Sequence, residues 1–101
     1  MISGRLWESI LMLKPTPTTK FKKDLKKFKH GAKIIQDLDV VIKLLIQQLP
    51  LQKRHVDHPL GGNWSGSREC HVNPDVLLIY RIEENSKILF LERFGSHSQL
   101  F

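Results

Sequence analysis

Cys70 is the only cysteine among 101 residues. A secreted domain of this size is ordinarily stapled by paired cysteines, so a lone thiol points to a reducing cytoplasm. Its ordinary place is a strand or core position; service as a nucleophile is the rarer use. Long hydrophobic runs are also missing. No apolar stretch reaches the roughly 18 residues of a membrane span, so no transmembrane helix is expected. The first residues, 1–13, have neither a basic leader nor a small-residue cleavage site and do not read as a signal peptide. Internal repeats and low-complexity segments are absent. Acidic residues are outnumbered, 10 Asp and Glu against 16 Lys and Arg, which leaves a formal charge of +6. Nucleic acid, an acidic protein or an anionic membrane surface would each suit that balance. A hydrophobic content of 41% supports one modest core and one small domain.

Lysine and histidine are what the chain has in quantity, and they are segregated. Lys14, Lys20, Lys22, Lys23, Lys26, Lys27, Lys29 and Lys33 share their stretch with only Asp24. By composition alone this is a solvated helix face. Four of the five histidines fall between His55 and His97. Three of them sit in turn-rich phrases: Asp57-His58-Pro59-Leu60, His71-Val72-Asn73-Pro74-Asp75 and Gly95-Ser96-His97.

Periodicity places these phrases on a scaffold. Residues 1–10 show no clean pattern and read as an extension of uncertain origin before a single domain over residues 11–101. Leu11 to Lys14 reads as a brief strand, ended by Pro15-Thr16-Pro17. Thr18 or Thr19 caps a helix whose stripe is Phe21, Leu25 and Phe28, stopped at His30-Gly31. A second helix spans about Ala32 to Gln48, with Ile34, Ile35, Leu38, Val41, Ile42 and Leu45 on a broad apolar face and Pro50 behind it. So short a connection predicts an antiparallel helical hairpin. Leu51 to Ser65 reads as a loop. Ser67 to Val72, Val76 to Ile82 and Lys87 to Phe94 then form a three-stranded meander, with turns at Asn73-Pro74-Asp75 and Glu84-Asn85-Ser86. The early strand is expected at its edge. The fold class is therefore α+β: an N-terminal helical hairpin packed on a small, mostly antiparallel sheet.

Three chemistries compete for the histidines. Zinc needs three or four ligands, and His55-x-x-His58 supplies one pair; Cys70 and His71 are adjacent on a strand and point to opposite faces. Nucleophilic catalysis lacks a strand–turn–helix elbow around any serine or around Cys70. Acid–base cleavage of RNA needs neither, because RNA carries its own nucleophile, the 2′-hydroxyl. Two histidines, or a histidine and a carboxylate, suffice for the proton transfers, and arginine or lysine supports the phosphate charge. His58, His71, Asp75 and His97 all lie at loop or strand ends, where a rigid sheet places reacting groups.

The phrases Asp57-His58-Pro59-Leu60, Gly62 to Asp75, Leu78-Ile79-Tyr80-Arg81 and Leu91 to Phe101 together resemble the YafQ-type branch of the RelE/ParE toxin superfamily, over about Leu11 to Phe101. The resemblance implies the RelE/ParE-like form of the α+β fold and a toxin of a bacterial type II toxin–antitoxin module. Such toxins are small cytoplasmic endoribonucleases that enter the ribosomal A site and cut mRNA. A cognate antitoxin wraps and blocks them, and operator DNA is bound through the toxin–antitoxin complex. By motif, His58, His71, Asp75, His97 and Phe101 take the functional positions. The proton-transfer pair is expected at His58 and His97, with His71 and Asp75 assisting and Phe101 placing the target base. Arg68 and Arg93 are expected at the phosphate. Lys22, Lys23, Lys26, Lys27 and Lys29 are expected against ribosomal RNA. Neither a metal nor another cofactor is implied. Some relatives carry Trp where this chain has Val76, a departure that bears on base stacking. His30 and His55 are expected to be bystanders. The sister reading, a ParE-like gyrase inhibitor, has no use for the histidines; an inactive antitoxin-binding module is the third.

Overall fold

A computed structural model describes residues 12–101. The expected extension over residues 1–10 lies outside the described residues. Within them, β1 (Lys14–Pro17), α1 (Thr19–Lys26) and α2 (Ala32–Ile46) precede β2 (His58–Pro59), β3 (Arg68–Asn73), β4 (Val76–Glu83), β5 (Ile88–Gly95) and α3 (His97–Leu100). The strands form one sheet in the order β1-β5-β4-β3-β2. β1 runs parallel to β5, and the other pairings are antiparallel. This is the α+β class expected, with α1 against β5 and α2 against β3.

Two strands depart from the expectation. β1 begins at Lys14 and runs through both prolines instead of ending at them. Lys14 N donates to Lys87 O, just before β5, at 2.8 Å and Thr18 N to Leu91 O of β5 at 3.0 Å, so the intervening Pro15 and Pro17 occupy alternate positions facing the open side. A missing N–H costs nothing there. The expected loop over residues 51–65 also contains β2, two residues paired to β3 with His58 opposite Glu69.

β4 is buried on both faces, and its pleat separates the molecule into two layers. Leu78 and Tyr80 face the helices and join Leu13, Phe21, Leu38, Val41, Leu45, Cys70, Val72, Leu89, Leu91 and Phe94 in the main core. Leu77 and Ile79 face the other way and meet Leu100, with Leu60 and Trp64 packed against them. On β5 the alternation breaks at a register shift, where Ile79 pairs with Arg93 and Tyr80 with Leu91. The extra residue, Glu92, returns Phe94 to the helix side. Its ring meets Phe21 and Phe28 at 6.2 and 4.7 Å between centroids, clamping the start and end of the α1 segment to β5.

α1 starts where Thr18 Oγ1 accepts from Phe21 N at 3.0 Å. Its other buried residue is Asp24. The carboxylate accepts from Arg93 Nε at 2.7 Å, a second guanidinium nitrogen at 3.1 Å and Phe94 N at 3.0 Å. Burial by itself would raise the Asp24 carboxyl, but Arg93 and the Phe94 amide outweigh it and hold it below its ordinary value of 3.8. Its stabilising contribution is complete above 3.8 and vanishes as pH falls through the lower folded value. Asp24→Asn should lower stability at pH 7 by about 3 kcal/mol, the scale for breaking a buried pair. Denaturant titrations should also find the variant's stability less sensitive to acid below pH ~4 than the wild type's. Equal stability of the two proteins at pH 7 would refute this role for the pair.

Candidate functional site

The face of the sheet turned away from α1 and α2 gathers most of the expected site residues, and each phrase does so through local chemistry. In Asp57-His58-Pro59-Leu60 the strand alternates. Asp57 accepts from Tyr80 Oη at 2.6 Å and from Arg68 Nε at 3.2 Å, while Leu60 turns to the smaller core. His58 lies opposite Glu69, its Nε2 3.3 Å from Glu69 Oε2. In His71-Val72-Asn73-Pro74-Asp75, Val72 enters the main core and Asn73 Oδ1 accepts from Asp75 N and Val76 N, each at 2.8 Å. This Asx turn sets His71 and Asp75 on either side of a tight hairpin.

The third phrase, Gly95 to Phe101, builds α3. Ser96 Oγ accepts from Gln99 N, and Gln99 Oε1 accepts from Ser96 N at 2.7 Å, which closes a capping box. Gln99 and Leu100 fold back so closely that a β-carbon at position 95 would stand 2.8 Å from Gln99 Oε1. Only glycine leaves that space. Leu100 anchors the turn on Leu77 and Ile79, so His97 and Phe101 project one turn apart with ring centroids 4.8 Å from each other. Trp64 meets Phe101 edge-on at 6.2 Å, an aromatic neighbour that sequence reasoning passed over.

His71, Asp75 and His97 line one open groove of 360 Å³ together with Pro74, Leu77, Ser96 and Ser98. No hydrogen bond among the described residues occupies the Asp75 carboxylate or the His71 and His97 rings. His58 shares this face of the sheet but is held by Glu69 and does not line the groove. Phe101 borders the site through its contact with His97.

The expected arginines are elsewhere. Arg68 shares the helix-side parity of Cys70 and Val72 on β3, where it borders a cavity with Asp57, Tyr80 and residues of the α2 end. Arg93 is spent on Asp24. Neither guanidinium reaches the groove, because each serves as the counter-ion of a carboxylate on another element. The five lysines are exposed on the α1 segment, in the layer opposite the groove. Val76, where some relatives carry Trp, packs against the main core. His30 is exposed beyond the end of α1. His55 is not idle: it is 5% exposed, and its Nδ1 lies 2.6 Å from His71 O, which fixes the backbone of a groove residue. Glu69 was missed. Strand alternation carries the signal, since it puts Glu69 on the same face as His71 two residues on.

Among the described residues, no group of three or more His, Cys, Asp and Glu side chains is arranged to hold a metal ion. Nor is any helix among them long and apolar enough to cross a membrane.

Residues 13–101 match the family described as the bacterial toxin of type II toxin–antitoxin system, YafQ. The chain is 42% identical over 82 residues to the mRNA interferase toxin YafQ of Escherichia coli K12, covering 80% of this chain and 87% of that protein. YafQ in the E. coli DinJ–YafQ toxin–antitoxin complex matches with a TM-score of 0.78 and 37% identity, over 89% of this chain and 98% of that one. A metal-bound toxin from Helicobacter pylori matches with a TM-score of 0.82 and 42% identity, over 89% and 100% of the two chains.

Cys70 is fully buried, and burial with the nearby Asp57 and Glu69 charges pushes its thiol up to about 12. A thiol so placed is a core side chain and a poor nucleophile. Mass spectrometry after iodoacetamide treatment at pH 7.5 should find the native protein unlabelled and the denatured protein fully labelled. Rapid labelling of the native chain would overturn that assignment.

Proposed function

The chain belongs to the YafQ family of type II toxin–antitoxin toxins, and from this we propose that it is an endoribonuclease that cuts mRNA on the ribosome. The observation that carries the reading is the groove where His71, Asp75 and His97 converge with no hydrogen-bond partner for their side-chain polar atoms among the described residues. Groups free to exchange protons, set on a rigid sheet and a capped turn, suit acid–base chemistry. One group takes the proton of the ribose 2′-hydroxyl. The oxygen attacks the adjacent phosphorus, the bond to the 5′-oxygen breaks, and a second group protonates that oxygen. The products are a 2′,3′-cyclic phosphate and a free 5′-hydroxyl. His97 is our leading proton-transfer residue in the groove. His71 and Asp75 assist or share that work, and His58 acts from the neighbouring strand. Phe101, backed by Trp64, offers a face on which a splayed base can stack.

Two further parts of the reading concern partners. Lys22, Lys23, Lys26, Lys27 and Lys29 lie on the far side of the sheet from the groove, which suits phosphate contacts with ribosomal RNA while mRNA occupies the groove. The E. coli relative in complex with DinJ supports a cognate antitoxin as the resting partner, with operator DNA bound through that complex. The cytoplasm, where ribosomes translate, is the compartment this activity requires.

In a ribosome-bound mRNA cleavage assay, His97→Ala should lower the cleavage rate by about 10²–10⁴-fold while antitoxin binding is kept. A rate within twofold of wild type in both His97→Ala and His71→Ala would remove the groove from the mechanism. Cleavage should persist when transition-metal ions are removed with a chelator that spares ribosomal magnesium; loss of activity restored by added zinc or copper would replace the metal-free mechanism. Replacing the five lysines by Gln should weaken ribosome binding and flatten its salt dependence by about one unit of slope for each phosphate no longer neutralised. A slope equal to wild type would take the lysines out of that interface.

A further inference from the structure

Glu69 is a buried charge that the proposed reaction leaves unused. Its side chain is 6% exposed on the face of β3 that also carries His71. Oε2 lies 3.3 Å from His58 Nε2, and Oε1 has no hydrogen-bond partner among the described residues. A carboxylate in such a place stays ionised only beside positive charge. His58 is the basic side chain it meets.

The other nitrogen of His58 decides what that contact is. Nδ1 lies 2.6 Å from Val56 O. A carbonyl accepts and never donates, so Nδ1 carries a hydrogen. Nε2 then faces Glu69 either as the second N–H of a cationic ring or across a proton that the two share. In both arrangements the pair holds one proton more than a neutral imidazole next to a free carboxylate. Val56 has a φ of +45°, in the left-handed region that a β-branched residue rarely enters, and this turn aims its carbonyl at His58.

We propose that Glu69 is a positioning residue that holds the proton on His58 Nε2 and so fixes the orientation and protonation of the His58 ring. The proposal rests on the RNA-cleavage reading and sharpens it. Arg68 and Arg93 are likewise held by carboxylates, on the helix side of the sheet. Charged neighbours from the surrounding elements do not compete for His58. Asp57, beside it on the chain, binds Tyr80 and Arg68 on the helix side. On β4, the residue opposite Glu69 is the apolar Ile79, and beyond it on β5 Arg93 is turned to Asp24. Also on that face, Arg81 of β4 is engaged by Glu83 and Glu92, Glu92 accepts from Ser67, and His71 lies further along β3.

NMR titration of the free protein tests this without reference to cleavage. At pH 7.5 the ¹⁵N shifts of wild-type His58 should report both ring nitrogens protonated, and in Glu69→Gln the midpoint of the His58 titration should fall by about one pH unit or more. In the ribosome cleavage assay, kcat of Glu69→Gln should drop about tenfold at pH 8 and recover to within about threefold at pH 6, with KM unchanged. A wild-type ring that is neutral at pH 7.5 with its hydrogen on Nδ1 alone overturns the proposal, and this needs no variant to fold. So does a His58 titration that Glu69→Gln leaves unmoved. If the wild-type protein cuts no mRNA, the cleavage reading fails, while the titration still decides whether Glu69 holds the His58 proton.

Discussion

Asp24 ties the architecture together. It is a carboxylate sunk between α1 and β5, where it receives both arms of the Arg93 guanidinium and the amide of Phe94. Burying a charge is tolerable only when its partners are this complete. The amide it grips belongs to the residue immediately before Gly95, so the same carboxylate that docks the lysine helix also fixes the strand end from which α3 springs. Phe94 packs against both Phe21 and Phe28 at that point. The cost is that Arg93, two residues before the Gly95-Ser96-His97 phrase, is committed to the fold and withdrawn from the chemistry.

The pleat of β4 then separates two kinds of surface. One face builds the main core under the two longer helices, the first of which is crowded with lysine on its outer side. The other face is only partly covered, by Leu60, Trp64 and the short turn anchored at Leu100, and this incomplete cover is what leaves room for a groove. A sheet five strands wide therefore carries one thick layer rich in lysine and one thin layer in which the histidine phrases gather. His55 shows how the thin side is kept rigid: a buried histidine spends its hydrogen bond on the backbone of His71.

Much of this was legible along the chain because it is local. Apolar spacing marks both helices, Thr18 marks the start of the first, and Asn73-Pro74-Asp75 marks the hairpin that carries two candidate site residues. What was not legible depends on residues distant in the chain. Arg68 and Arg93 look like free cations until their carboxylates appear 11 and 69 residues away. Pro15 and Pro17 look like strand breakers because being at an edge is a property of the assembled sheet. β2 is two residues long and exists only because β3 lies beside it, so no periodicity announces it. The register shift at Glu92 reverses the facing of everything after it on β5, and one unpaired residue leaves no pattern to read. Glu69 is the exception, since strand alternation alone brings it to the face of His71.

The prolines of β1 have a further consequence. A sheet edge with free amides recruits any extended chain it meets, and a small basic protein at high local concentration would pair with itself. Both outward amide positions of β1 are proline, so among the described residues that border offers carbonyls and no donors at Pro15 and Pro17. The opposite border, β2, is only two residues long and one of them is Pro59. Neither rim can template a neighbouring strand. The two described rims thus close the commonest route by which exposed sheets stack into fibres, whatever the protein's concentration.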